Sequence, residues 1–406
     1  MNIVFFAHPT FLSSQSMPRF TRMLAEGMKR YGHNIEVWCP EPILHRFPAP
    51  ASIKKWLGYI DQYILFPREV HTRLKQCAHD TLFVFTDHAL GPWVPLVSDR
   101  PHVIHCHDFL AQMSALGKIK ENPISWTGRL YQRYIRDGYS SGRHFIPVSY
   151  KTQSDLHKLL PNSPLTSEVV YNGLNGKFSP HKVSTARTIL SAESGYNLSG
   201  GYLLHVGGNE WYKNRTGVIK LYNEWRKKSS VKLPLVMVGR APSYQLQELQ
   251  AQSPFAEDIH WVTDLTDEMV RLAYAGANVL LFPSLAEGFG WPIAEAMACG
   301  CPVITTDDAP MTEVAGTAGF YIPRMPATNE CIEEWTKDAS HVLEHVVLLR
   351  KHEREEVVKR GLENAARFNT EQSLRKIEYI YQHILDTEFN TAVKLGISKT
   401  EMQMQS

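Results

Sequence analysis

Two series of short apolar runs, each run followed by an amphipathic stretch, constrain this chain more than any other feature. The first series is Ile3 to Phe6, Ile35 to Trp38, Leu82 to Phe85, Val103 to Cys106, Phe145 to Val148 and Glu168 to Tyr171. The second is Tyr202 to Val206, Leu233 to Val238, Ile259 to Val262, Val279 to Phe282 and Val303 to Thr305. Apolar runs of that length bounded by turn formers read as buried strands. Their alternation with helical stretches predicts parallel sheets with helices on both faces. Between the series lies a break from Asn172 through Pro180 to Gly200-Gly201. The fold class is therefore α/β, with two doubly wound Rossmann-like domains at 1–180 and 181–369. Helical patterns dominate from about Asn329, Thr370 to Leu385 forms a last amphipathic stretch, and 391–406 reads as a flexible tail.

Composition narrows the partners. The chain has 406 residues and 43% hydrophobic content, enough for two cores. A formal net charge of +2 argues against nucleic acid as the main partner. The cysteines at 39, 77, 106, 299, 301 and 331 are scattered. Cys299 and Cys301 form a lone Cys-x-Cys that is poor evidence for zinc, and reduced thiols fit the cytoplasm. Asn2 to Ala7 is strand-like rather than a leader, and no apolar run approaches the length of a membrane span.

In open α/β sheets ligands bind beyond the carboxyl ends of the strands, so the residues after each run are the candidate site. After Val279 to Phe282 comes Glu287-Gly-Phe-Gly-Trp-Pro-Ile-Ala-Glu295. Gly288 and Gly290 allow close backbone approach. A helix is expected from Trp291, with Pro292 in its first turn and Gly300 just past its end. Its amides and positive dipole end form an anion site suited to a diphosphate. Glu295, read as lying in the first turn, can accept from sugar hydroxyls, and Glu287 reaches the site from the strand end. The bland reading makes Glu295 a dipole complement and Glu287 a turn residue.

The run Pro283-Ser-Leu-Ala-Glu287-Gly-Phe-Gly-Trp-Pro-Ile-Ala-Glu295-Ala-Met-Ala-Cys-Gly-Cys-Pro-Val303 resembles the donor-site signature of the retaining family 4 glycosyltransferases, group 1, with the GT-B fold. The resemblance implies two Rossmann-like domains facing each other across a cleft, with the C-terminal helix (about 370–390) crossing back to the first. It implies that Glu287 contacts the donor sugar, that Gly288, Phe289, Gly290 and Trp291 present amides to phosphate, and that Glu295 binds ribose hydroxyls. Lys213, in Val206-Gly-Gly-Asn-Glu-Trp-Tyr-Lys213-Asn-Arg215, aligns with the family's phosphate-binding lysine. Gly208 stands where the family has arginine. Either Arg215 substitutes, or Gly207, Gly208 and Asn209 bind phosphate through backbone amides. Arg240 is a further possible contact, and Thr263, in Trp261-Val-Thr-Asp264, lies in the segment that meets the base.

In the first domain, Val103-Ile-His-Cys-His107-Asp108 resembles the family's histidine-containing strand end, and His107 is expected to hold a sugar hydroxyl. Asp108 caps the following helix or orients His107. His105 is a weaker candidate, and His8 is a contact or a turn residue. The first strand-to-helix turn has no glycine, which weakens a dinucleotide-binding reading and departs from the family's glycine pair. Ser13, Ser14, Gln15 and Ser16 are its possible donors of hydrogen bonds, or simply a polar cap.

The implied chemistry is retaining transfer of a hexosyl group from a nucleoside diphosphate sugar to a saccharide or lipid-linked saccharide, with no cofactor and no metal. A sugar-nucleotide epimerase, a phosphorylase and a noncatalytic partner subunit are the alternatives. Ile53 to Arg68 and Trp126 to Arg136 mix cations with aromatics. They are open to three readings: helices packing an aromatic face inward, a wall of an acceptor pocket, or peripheral contact at the inner face of a membrane.

Overall fold

The computed structural model describes residues 1–11, 16–174 and 176–394. The chain divides into two compact units, the first made of residues 1–171 and the segment from Glu371, the second of Asn172–Thr370. The break thus falls nearer Tyr171 than residue 180.

The first sheet contains β1 (Asn2–Phe6), β2 (Asn34–Trp38), β3 (Leu82–Phe85), β4 (His102–Cys106), β5 (His144–Pro147) and β6 (Thr166–Ser167). Its order is β2-β1-β3-β4-β5-β6, and all pairings are parallel. Because side chains alternate faces with period two, β1 and β3 each serve two cores. Val4, Phe6, Phe83 and Phe85 join Trp38, Phe66 and Trp93 on one side. Ile3, Phe5, Leu82 and Val84 join Leu24, Met28 and the C-terminal helix (Thr370–Lys394) on the other. Burial on both faces explains why these strands read as unbroken apolar runs.

The C-terminal helix contributes Leu374, Ile377, Ile380, Tyr381 and Ile384 to that second core. Glu168 to Tyr171, expected as a strand, is one only in part: the β6 ladder stops at Ser167, yet Glu168 N and Val170 N still donate to Phe145 O and Pro147 O (both 3.0 Å). Pro147 has no N–H to return a bond, and on the outer side the carbonyls of Val169 and Tyr171 accept from Lys376 Nζ (2.8 Å) and Ser373 Oγ (2.9 Å) of this helix.

On the opposite face the 3-10 segment His88–Val97 lies against the helix Trp126–Tyr139. Their backbones touch at Gly91 and Gly138: a Cβ on Gly138 would sit 2.2 Å from the Gly91 carbonyl oxygen. Pro92 and Pro95 inside the segment removed the helical signal from the sequence.

The second sheet contains β7 (Leu203–Val206), β8 (Leu235–Val238), β9 (Ile259–Val262), β10 (Val279–Phe282), β11 (Val303–Thr306) and β12 (Phe320–Ile322). Its order, β12-β11-β10-β7-β8-β9, is that of the Rossmann fold. Strand β12 was not foreseen, being three residues between Gly319 and Pro323. The direction of strand progression reverses between β7 and β10 here, and between β1 and β3 in the first sheet. Those two places are where ligand-binding residues are expected.

Leu374 is fully buried. Truncation to alanine should lower stability by about 2–5 kcal/mol, read as a lower midpoint in thermal unfolding followed by circular dichroism.

Candidate functional site

The carboxyl ends of β7 and β10 are tied together by a residue that carries no chemistry of its own. Asn214 is buried and has left-handed backbone (φ 52°). Its Oδ1 caps the helix Arg215–Lys228 by accepting from Gly217 N (3.1 Å), and its Nδ2 donates to the Pro283 carbonyl after β10 (2.9 Å). Leu285 N adds a second tie by donating to Tyr212 O (2.8 Å). Thr306 Oγ1 and Arg324 Nε hold the same loop through the carbonyls of Ser284 and Leu285.

This bracing sets Lys213 beside Glu287. Lys213 Nζ donates to Glu287 Oε1 at 2.7 Å, and Ser284 Oγ donates to the same oxygen at 2.8 Å. Both side chains are mostly shielded. The ammonium also lies over the rings of Phe282 (5.1 Å) and Tyr212 (5.3 Å), whose faces attract a cation.

The next helix, Trp291–Ala298, begins as expected. Gly290 is its N-cap with φ 101°, a conformation costly for any residue with a Cβ. Gly300, with φ 78°, closes it: Cys301 N bonds to Ala296 O and Gly300 N to Met297 O, a Schellman motif. Glu295, however, is not in the first turn, which holds no acidic residue. Counting from Trp291 it is the fifth helical position, because the N-cap is Gly290. Its Oε2 accepts from Tyr274 Oη at 2.9 Å. Burial, with Glu295 beside it, raises the Tyr274 phenol well above its ordinary value. Phe289 is buried against Trp291 and Phe368, while Gly288 and Trp291 are half-buried.

The residues after β7 and β8 require a correction. Arg215 does not offer its guanidinium to a ligand. It is 4% exposed and donates to Gly207 O (2.6 Å), Asn209 Oδ1 (2.7 Å) and Arg240 O (2.7 Å), with its guanidinium over the Trp261 ring. Burial lowers it to about 10, so it remains a cation at neutral pH. Its backbone acceptors make it a staple between the ends of β7 and β8. Asn209 is exposed, but both ends of its amide are engaged, Nδ2 donating to Ala241 O (2.7 Å). Gly208 is half-buried, and a Cβ there would strike the Glu210 carboxylate. The accessible cation is Arg240, whose side chain is 73% exposed and 3.7 Å from Glu210. Thr263 is half-buried after β9.

In the first unit a second cluster sits at the corresponding reversal. Asp87, after β3, is buried between two histidines. His8 Nε2, after β1, is 2.9 Å from Asp87 Oδ2, and His88 Nδ1 is 2.9 Å from Oδ1 as an ion contact rather than an aligned hydrogen bond. Burial alone would raise the Asp87 pKa, but the charge of His88 and the two imidazoles' contacts hold it well below the carboxylate range. For His88, burial is likewise outweighed by Asp87 and its value rises. His107, after β4, donates from Nε2 to Thr86 O (3.0 Å) and meets the Phe20 ring edge-on. Burial lowers its pKa, which leaves a neutral imidazole with a lone pair on Nδ1.

Asp108 accepts from Leu110 N at 3.0 Å at the start of the next helix, the role of a turn-former. His105 is packed, bonded to Tyr381 Oη at 2.7 Å and driven by burial to about 3. Ser14 and Gln15 lie outside the described residues.

Sequence reasoning missed Asn214, Asp87 and His88. A positive φ and a 79-residue separation between His8 and Asp87 leave no local signature.

The family model described as "Glycosyltransferase Family 4" matches residues 17–177, and that of "Glycosyl transferases group 1" matches residues 187–345. The two tile both units. The chain belongs to the group 1, family 4 glycosyltransferases. Its fold is GT-B in its two Rossmann-like units. Among curated relatives, O-antigen chain mannosyltransferase B of Escherichia coli is 27% identical over 199 residues, 47% of this chain and 50% of that protein. The MMP alpha-(1->4)-mannosyltransferase of Mycolicibacterium hassiacum is 30% identical over 177 residues, 43% of this chain and 39% of that one. The chain thus spans about half the length, or less, of these relatives. Among solved structures, Anabaena HepE in complex with UDP and glucose aligns with a TM-score of 0.69 and 15% identity, covering 94% of this chain and 100% of that one.

The Asp87–His88 pair makes stability pH-dependent. The depressed Asp87 contributes stability above the unfolded carboxylate value of about 4, lost as pH falls through its folded value. The raised His88 contributes below about 6.5, lost as pH rises through its folded value. Asp87→Asn should therefore cost most between these limits, on the order of 3 kcal/mol. The deficit should narrow at alkaline pH in denaturant melts, and a pH-independent difference would refute the pairing.

Proposed function

We propose that the chain transfers a hexosyl group from a nucleoside diphosphate sugar to a hydroxyl of a saccharide or lipid-linked saccharide, in assembly of a polysaccharide or glycolipid. The transfer retains anomeric configuration and uses no metal ion. The observation that carries the reading is the Lys213–Glu287 pair at the reversal point of the second sheet, beside the helix that starts at Gly290. A cation, a carboxylate and a row of backbone amides match the three parts of such a donor. A mannosyl group is the first candidate because both relatives named above are mannosyltransferases.

In this reading Lys213 meets the diphosphate together with the amides of Gly288 to Trp291, and Glu287 accepts from a hydroxyl of the donor sugar. The Glu295 carboxylate, fixed by Tyr274, takes ribose hydroxyls, and Thr263 lies with the base. Arg240, rather than Arg215, supplies the second cation. In the first unit His107 Nδ1 accepts from a substrate hydroxyl. The bond from the anomeric carbon to the diphosphate oxygen breaks as the acceptor oxygen bonds on the same face. The acceptor's proton passes to the departing phosphate. Charge building on that phosphate is stabilised by Lys213 and the helix amides.

The first test is a thermal-shift and calorimetric screen of UDP, GDP, ADP and dTDP, with their sugar donors and with or without a chelator. Selective binding of one nucleotide, unchanged by chelator, is expected, and binding of none favours a noncatalytic partner subunit. Conversion of donor without acceptor would mark an epimerase, and a requirement for orthophosphate a phosphorylase. Lys213→Ala and Glu287→Ala should each reduce turnover about 10²–10³-fold without unfolding, and near-normal rates in both would overturn the assignment.

The two arginines should separate cleanly. Arg240→Ala should weaken nucleotide binding about tenfold at an unchanged melting temperature. Arg215→Ala should destabilise the protein by about 1–3 kcal/mol by stranding its acceptors.

A further inference from the structure

The helix Ala51–Ile60 and the π-turn Asp61–Leu65 that continues it are inside out. Gly58, Asp61 and Gln62 are buried. Asp61 accepts from the backbone N–H of Leu44 (2.9 Å) and His45 (2.8 Å), and Gln62 Nε2 donates to Gly58 O (2.9 Å). The outward stripe is apolar: Ile53, Trp56 and Ile64 are exposed, with Leu57 and Ile60 half-buried between them. That spacing is one face of a helix, and Trp56 is 67% exposed.

The helix Trp126–Tyr139 extends this surface. It exposes Trp126 (72%), Leu130 and Tyr134. Ring contacts join the two segments: Tyr59 stacks on Tyr131 at 5.7 Å and Tyr63 meets Tyr134 at 5.5 Å, with Trp56 edge-on to Tyr59 (5.7 Å) inside the first. The Tyr63 and Tyr131 hydroxyls are 2.7 Å apart. The expectation that the aromatics pack inward holds for Tyr59, Tyr63 and Tyr131 and fails for Tyr134 and both tryptophans.

Charge identifies the occupant. Lys54, Lys55, Arg129, Arg133 and Arg136 flank the apolar residues. Of the acids in the two segments, Asp61 is buried and Asp137 is paired with Arg133 at 3.5 Å. Beside the second helix a cavity of about 200 Å³ is walled by Arg129, Arg133 and Arg136, with Leu116 and Leu130 at its apolar side. Indole and tyrosine rings suit the boundary between headgroups and acyl chains, where one end is apolar and the other wet. Cations beside them add attraction to anionic lipid.

We propose that this face docks on an anionic phospholipid surface, with a lipid phosphate entering the arginine-walled cavity. None of these residues is among those assigned to transfer, so vesicle binding is read separately from turnover.

Co-flotation of the full chain with phosphatidylcholine vesicles, with and without phosphatidylglycerol, tests it. Binding is expected only with phosphatidylglycerol and should weaken with added salt, with a blue shift in tryptophan emission. Trp56→Ser with Trp126→Ser, and separately Arg129→Gln with Arg133→Gln, should each weaken binding about tenfold or more. Unchanged melting temperatures would establish that the variants fold. The proposal is overturned by no vesicle binding, by equal binding to both vesicle types, or by variants that bind as the parent does. A concentration-dependent dimer that the tryptophan variant loses, without vesicle binding, would instead make this face a self-interface.

Discussion

Two hydrogen bonds hold the second unit's candidate site in register: Asn214 Nδ2 to Pro283 O, and Leu285 N to Tyr212 O. A parallel sheet guarantees that β7 and β10 lie side by side, but it does not fix the loops beyond them. Asn214 does so by taking a left-handed conformation that turns the chain into the next helix while its side chain spans to the other loop. Lys213 precedes that turn directly, so its position follows from the clamp. Glu287 is reached from the other end of the same tie, with Ser284 fixing its carboxylate. The ion pair is thus a consequence of how the sheet reverses direction.

The two units solve a similar problem with different chemistry. At the reversal of the first sheet a buried carboxylate is shared by His8, His88 and the Ala89 amide. At the reversal of the second a carboxylate is shared by an ammonium and a hydroxyl, with aromatic faces behind the cation. In the first arrangement the cation is a histidine whose pKa is raised by Asp87.

Much of the fold was legible because both faces of both sheets are covered, which writes the strands as continuous apolar runs. What was not legible depended on partners far away in sequence. The Glu168 to Tyr171 segment reads as a strand and its amides still reach β5, but Pro147 returns no N–H and the outer carbonyls go to Ser373 and Lys376. Phe320–Ile322 is too short to show a period. In the site, Lys213, Glu287 and His107 stood out because a strand end, a glycine loop and a helix start surround them. Arg215 was misread because its acceptors are carbonyl oxygens, which any sequence can supply. Glu295 was placed one turn too early although the helix start at Trp291 was read correctly, because the fifth position from that start already lies beyond the first turn.

Lys213 and Glu287 neutralise each other before any ligand arrives, and Arg240 sits near Glu210 in the same way. Considered from a distance, the loops after β7, β8 and β10 therefore present little net field from these four groups. An anion approaching through solvent would be drawn to them weakly and would feel the cations only on contact, when Glu287 is diverted to another donor of hydrogen bonds. Such a site discriminates at close range rather than by long-range attraction, and capture by it would vary little with ionic strength.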